Sequence, residues 1–96
     1  MITKVEDMDT FIDDLVSFSD YVHEKEKQKQ VAFVLLNAHQ LKKHFSDEIH
    51  KTILIQTVKD FILSSIDVIN LGFMSFDNME EKAAFMALIS KWKEEK

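Results

Sequence analysis

The chain has no cysteine, no proline and no arginine, and its only glycine is Gly72. Without cysteine, disulfide frameworks and thiolate metal sites are excluded. Tight β-hairpins usually take glycine, Asn-Gly or proline in their turns. The scarcity of these residues therefore favours helices over sheets. Without arginine, the chain lacks the side chain best suited to bidentate hydrogen bonding with phosphate or carboxylate. The sequence therefore predicts an all-α protein.

Charge is unevenly distributed along the 96 residues, whose net charge is −5. Residues 1–24 carry seven carboxylates and one lysine, whereas residues 25–51 carry six lysines and three carboxylates. An acidic, arginine-free chain disfavours nucleic acid and anionic membranes as partners. It favours a protein partner with a basic surface. The first residues lack the continuous apolar run of a signal peptide, and we therefore expect a cytoplasmic protein.

The most apolar stretch lies between residues 49 and 74. Apolar side chains between 49 and 71 fall on nearly every side of a helix, with Ile62 on one face, Val68 on the next and Phe61 beside it. A helix that is apolar all round has to be enclosed by other elements. Charged residues interrupt the stretch well short of the length of a membrane span. We therefore expect this stretch to form the central helix of a small bundle.

Hydrophobic spacing predicts four helices, at about residues 5–24, 29–45, 47–71 and 78–94. The polar segment 25–30 separates two apolar stripes of different phase, which favours a reversal around 24–30. One long helix across residues 5–45 is the alternative. Gly72 suits a left-handed helix end, and Asp77 with Glu80 fits a helix start. The expected fold is one domain, residues 1–96, built as an antiparallel up-and-down four-helix bundle.

His39 is the candidate for chemistry, since it and Lys42 are expected on one exposed flank of the second helix. An exposed imidazole with a lysine three residues on could accept a phosphoryl group. The segment 38–42, AHQLK, resembles the A-H-x-L-K core of histidine phosphotransfer domains, which are helical bundles of similar size. This resemblance implies that His39 carries the phosphate and Lys42 stabilises it. Lys43 stands where that family has glycine, and a solvated flank histidine is the alternative interpretation.

Other patterns of catalytic or metal-binding residues are missing. The histidines at positions 23, 39, 44 and 50 lack the i, i+4 spacing of a helical zinc site and the Glu-x-x-His pattern of di-iron bundles. Adjacent carboxylates such as Asp13 and Asp14 point about 100° apart on a helix, so they form no general acid–base pair. We expect no enzyme activity, no cofactor and no metal.

Candidate binding residues are apolar or acidic. Phe33 lies off the inward stripe of the second helix, near Asn37, and exposed aromatic residues are common anchors of protein interfaces. The connection at Phe73, Met74 and Phe76 could be an interface or a hydrophobic plug at the end of the bundle. The acidic face of the first helix supplies the remaining candidates, which are Asp13, Asp14 and Asp20.

These features predict a small non-catalytic protein–protein interaction module, such as an inhibitor, an antitoxin-like protein or an adaptor. Self-association, as in a homodimer, is a further expectation. The first alternative is a phosphotransfer bundle that uses His39. The second is a bundle of the kind that gives bacteria immunity to their own peptide toxins, an analogy of architecture alone.

Overall fold

A computed structural model describes residues 2, 4, 6–43, 51–73 and 75–93, with only the backbone for residues 51–54. The described residues form four α-helices and no strand: α1 (Asp7–Ser19), α2 (Lys25–Lys42), α3 (Lys51–Gly72) and α4 (Met79–Lys93). The prediction of an all-α four-helix bundle is confirmed. The expected start of the third helix, at about residue 47, and the histidines at positions 44 and 50 lie outside the described residues.

Helices α1 and α2 run in opposite directions, as contacts near their two ends show. Lys42 at the end of α2 pairs with Asp9 at the start of α1. At the other end of this pair, the Gln28 side chain donates a hydrogen bond to the Val22 carbonyl (2.8 Å). The short connection 20–24 separates the two helices, so the alternative of one long helix is excluded.

The hydrophobic core is built around α1, which packs against α2 and α4 at its sides and reaches α3 across the bundle. Met8, Phe11, Leu15 and Phe18 recur at intervals of three or four and are all buried. The Phe11 ring meets Trp92 of α4 edge to face, with 5.4 Å between the ring centroids. Residues from the other three helices complete the core: Val31, Val34, Ala38, Val58, Ile62, Ile66, Ile69, Phe85 and Leu88.

The expectation that α3 is enclosed on all sides is wrong. Its inward face is fully buried at Val58, Ile62, Ile66 and Ile69, but Val68 is 43% exposed and Leu71 is 77% exposed. Four helices around one core leave each helix an outer face, and the outer face of α3 carries apolar residues among its polar ones. Among the described helices, none has the length and hydropathy needed to cross a membrane.

The polar segment at residues 25–30 is helical and forms the first turns of α2, which corrects the predicted reversal at 24–30. The predicted turn assumed that these polar side chains are solvated. Instead, Lys27 is buried and Gln30 packs between the helices. The chain reverses earlier, because α1 ends at Ser19 and its last carbonyls accept hydrogen bonds from Asp20 and Tyr21.

Gly72 ends α3, but not in the left-handed conformation predicted for it, since its φ is not positive. What its missing side chain allows is a close approach between two helices. A Cβ atom at Gly72 would overlap the side-chain amide of Gln30 on α2. The glycine therefore lets Gln30 lie flat across the end of α3.

Candidate functional site

Exposed apolar side chains lie on the outer faces of α2 and α3. Phe33 (62% exposed) and Leu36 (56% exposed) lie one turn apart on α2, and Val68 and Leu71 lie one turn apart on α3. These four are half of the eight large apolar side chains left exposed in the part of the chain that the structure describes. We call these four residues the α2–α3 face.

Phe33 and Val68 line one shallow groove of about 620 Å³ between the two helices. The Gln30 side-chain amide bridges its floor by donating a hydrogen bond to the Val68 carbonyl (3.3 Å). Asn37, one turn beyond Phe33, is half-buried. Four of the groove's eight lining residues are charged, namely Glu24, Glu26, Lys27 and Lys29, and Glu26 pairs loosely with Lys29 at 3.7 Å. The predicted binding residue Phe33 therefore lines a groove that is partly apolar and partly charged, and Asn37 lies one turn beyond it.

A second concave surface, the α1–α4 groove, runs along the opposite pair of neighbouring helices. It has a volume of about 200 Å³. Its lining follows helical spacing on both helices: Asp14, Ser17, Phe18 and Tyr21 on α1, and Ala84, Ala87, Leu88 and Lys91 on α4. Phe18 and Leu88 form a buried apolar floor, and the small alanines leave the space above it open.

The three predicted acidic residues of α1 separate into two kinds. Asp14 is tied into the structure: its Oδ2 accepts a hydrogen bond from the Trp92 indole N–H (2.8 Å) and lies 2.8 Å from the Lys91 ammonium. Asp13 and Asp20 are exposed, and neither forms an ion pair with a described residue. Asp14 is therefore engaged within the bundle, whereas the other two carboxylates are available at its surface.

The aromatic connection between α3 and α4 is a plug rather than an open surface. Phe73 is only 4% exposed, so its ring is not presented to a partner, which corrects that part of the expected binding surface. Its ring stacks on Phe85 at 5.4 Å and contacts Phe18 and Phe76. Phe76 is half-buried against the same core. Met74 lies outside the described residues.

A buried ion pair, which the sequence analysis missed, holds this connection in place. The Lys27 ammonium of α2 lies 3.3 Å from Glu81 Oε1 and donates a hydrogen bond to the Ser75 carbonyl (2.7 Å). It also lies over the ring of Phe73, 4.9 Å from its centroid, where the negative face of the ring attracts a cation. The Glu81 side chain is fully buried. A lysine in a polar run and a glutamate beside another glutamate give no sign in the sequence that they meet.

Glu81 also caps the start of α4. The Asn78 side chain accepts a hydrogen bond from the Glu81 backbone N–H, and Glu81 Oε1 accepts one from the Asp77 backbone N–H, both at 2.8 Å. This reciprocal cap lies one residue later than the predicted pair of Asp77 and Glu80. Glu81 Oε2 is buried without a hydrogen-bond partner among the described residues. This carboxylate thus orders the connection through one oxygen, which serves both α2 and α4.

His39 is exposed on α2, as predicted, above the buried Ala38. Lys42 is also exposed, but its ammonium pairs with Asp9 of α1. The cation expected to stabilise a phosphate is therefore already neutralised, and the adjacent carboxylate would repel an arriving phosphate. The described residues contain no cluster of three or more histidine, aspartate or glutamate side chains that could hold a metal ion.

Comparisons with known proteins give no relative: no family model, curated protein or solved structure matches this chain.

Proposed function

We propose that this chain is a non-catalytic protein–protein interaction module that binds its partner through the α2–α3 face. Inhibitors, antitoxin-like proteins, adaptors and immunity-type bundles all belong to this class. The observation that carries the proposal is the exposed ring of Phe33, which lines a groove between α2 and α3 together with the exposed Val68.

The chemistry of the α2–α3 face supports this proposal. The centre of a protein interface is typically apolar and poor in charge, with aromatic residues as anchors and polar residues at the rim. Phe33 and Val68 supply the apolar anchors, and Glu24, Glu26 and Lys29 supply polar groups beside them. Leaving large apolar groups in water gains nothing for the folded monomer, so their covering by a partner provides a driving force for binding.

The charged groups of the bundle support a non-catalytic role. The buried pair of Lys27 and Glu81 lies in the core, where it has a structural task. Asp14 is occupied by Trp92 and Lys91. Lys27, Glu81 and Asp14 thus all take part in holding helices together.

The test is site-specific photo-crosslinking in the native host. A benzoylphenylalanine replaces Phe33 in one variant and the exposed Lys82 of α4 in a control variant. The expected result is a discrete product at position 33 that is heavier than the 11.3 kDa chain and missing at position 82. No product at position 33, or the same product from both positions, would count against the proposal.

Histidine phosphotransfer is the second candidate, and the exposed imidazole of His39 is the observation in its favour. Its test is incubation with a phosphorylated receiver domain, followed by detection of acid-labile label. Label that appears on the wild type and disappears in His39→Gln would support it. No label, or label that survives the substitution, would exclude it.

A further inference from the structure

We propose that the partner of the α2–α3 face is a second copy of this chain, which docks through α2 to form an antiparallel helix pair with a two-fold axis. This inference deepens the proposed function and rests on it, because it names the partner of the same surface. It is carried by a line of exposed residues along α2 whose two ends are complementary to each other in charge.

This line, which we call the α2 stripe, follows the alternating steps of three and four residues that keep one side of a helix facing a partner helix. Its members are Glu26, Lys29, Phe33, Leu36, Gln40 and Lys43. All six are exposed, whereas Val31, Val34 and Ala38 fall on the opposite side of α2 and are buried in the core. Lys43 caps α2 in a right-handed helical conformation, so it continues the line. Helix α2 therefore presents to solvent the residue spacing of a helix–helix contact.

The centre of the α2 stripe supplies the hydrophobic contact. In a two-fold pair, residue i contacts residue j of the other copy and j contacts i. When the axis passes between Phe33 and Leu36, each phenylalanine ring lies against the leucine of the other copy. Both side chains are more than half exposed, and covering them is favourable in proportion to the carbon area removed from water. One step outward, Lys29 lies opposite Gln40, a pair without repulsion. Val68 lines the groove beside Phe33 and borders this contact.

The ends of the α2 stripe select the occupant and its direction. In the antiparallel pair, Glu26 of each copy lies opposite Lys43 of the other, which gives two ion pairs related by the axis. A parallel pair would place like charges opposite each other at both ends, which is repulsive. Lys43 forms no ion pair with a described residue, and Glu26 has only its loose contact with Lys29, so both charges are open to a partner. The match between one end of α2 and the other identifies a second copy as the occupant.

The first experiment measures the association of the full chain by sedimentation equilibrium. We expect a monomer–dimer equilibrium in which the dimer fraction rises with concentration. Phe33→Ser should weaken the dimer about tenfold or more, because it removes the aromatic anchor at the centre of the contact. Met86→Ser is the matched control, since Met86 of α4 is also an apolar side chain that is about half exposed, and it should leave the dimer unchanged.

Charge reversal tests the pairing of the two ends. Glu26→Lys and Lys43→Glu should each weaken the dimer about fivefold at low salt, since each turns two attractions into two repulsions. An equimolar mixture of these two variants should regain the affinity of the wild type, because opposite charges then face each other at both ends. Lys82→Glu makes the same change of net charge on the exposed side of α4 and should have no effect.

Disulfide formation shows the direction of the helices, because the chain has no cysteine of its own. A mixture of Glu26→Cys and Lys43→Cys chains should oxidise to a covalent dimer, whereas neither variant should do so alone. In the antiparallel pair, the two copies of position 26 lie about 25 Å apart along the helix axis. That separation is far beyond the roughly 6 Å between the Cα atoms of a disulfide.

Several results would overturn the inference. They are a chain that stays monomeric at about 1 mM, equal losses in Phe33→Ser and Met86→Ser, no recovery in the charge-reversed mixture, or a covalent dimer formed by Glu26→Cys alone. A monomeric chain whose position 33 crosslinks to a different protein in the host would overturn this inference and leave the proposed function standing. No product at position 33 in the host counts against the proposed function itself, so the two failures are distinguished by separate measurements.

Discussion

The α1–α4 groove and the α2–α3 face each lie where two neighbouring helices of the bundle meet, but the two helix pairs are joined by different interactions. We call the α1–α4 contact the charged seam and the α2–α3 contact the neutral seam. The first is bridged by a charged group, since Asp14 reaches both Trp92 and Lys91. The second is bridged by a neutral one, since Gln30 lies across Gly72 and bonds to Val68. Beside the first lies an apolar floor of Phe18 and Leu88, and beside the second the ring of Phe33 and the side chain of Val68 are left in solvent. The two helix pairs therefore differ both in what joins them and in what they leave exposed.

The largest effect is expected where the neutral seam meets the aromatic plug. Lys27→Met should lower the free energy of unfolding by about 3–5 kcal/mol, because it leaves the buried carboxylate of Glu81 without its counter-charge. Urea unfolding measures this loss. Lys29→Met, at an exposed lysine two residues on, should change stability by less than about 0.5 kcal/mol. Equal effects at the two positions would show that the Lys27 pair does not hold the connection.

A smaller loss is expected in the charged seam. Asp14→Ala removes the acceptor of the Trp92 indole N–H and the partner of Lys91, and should lower the free energy of unfolding by about 1–3 kcal/mol. Asp13→Ala, next to it but exposed and unpaired, is the matched control. Trp92 is the only tryptophan, so its fluorescence reports on this seam directly. If both variants lose the same stability, Asp14 has no special role in joining α1 to α4.

The smallest effect is expected at Gly72. Alanine is favoured over glycine within a helix by about 1 kcal/mol, but here its Cβ would displace the end of the flexible Gln30 side chain and loosen the hydrogen bond to Val68. We expect Gly72→Ala to stabilise the bundle by about 0.5 kcal/mol, the remainder after an exposed hydrogen bond is lost. Gln30→Ala in the same background should then have little further effect. A marked destabilisation by Gly72→Ala would mean that α2 and α3 depend on this close approach.

The sequence predicts those parts of the fold that local periodicity determines. The stripe of Phe11, Leu15 and Phe18 identifies α1 and its buried face, and the phase change before Val31 separates α2 from α1. The start of α2 is not predictable in this way. Lys27 is buried only because Glu81, 54 residues later, supplies its counter-charge, and no local pattern records that pairing.

The candidate surfaces were predictable to a similar degree. Phe33 lies out of phase with its own helix, so its exposure follows from spacing alone. Phe73 lies in a connection without a helical phase, so the sequence left open whether it forms a plug or an interface. The α1–α4 groove could not be predicted, because its depth depends on Ala84 and Ala87 facing Ser17 across a pairing of helices distant in sequence.

The contact between Lys27 and the connection beyond α3 has a consequence for the order of folding. During synthesis, α1, α2 and α3 are complete before Ser75 and Glu81 leave the ribosome. Until then the ammonium of Lys27 has no anion to pair with and no aromatic plug to lie on. Gln28 and Gln30 can hold the first turns of α2 to Val22 and Val68 before then. The Lys27 contact is added only after the last helix has begun to emerge.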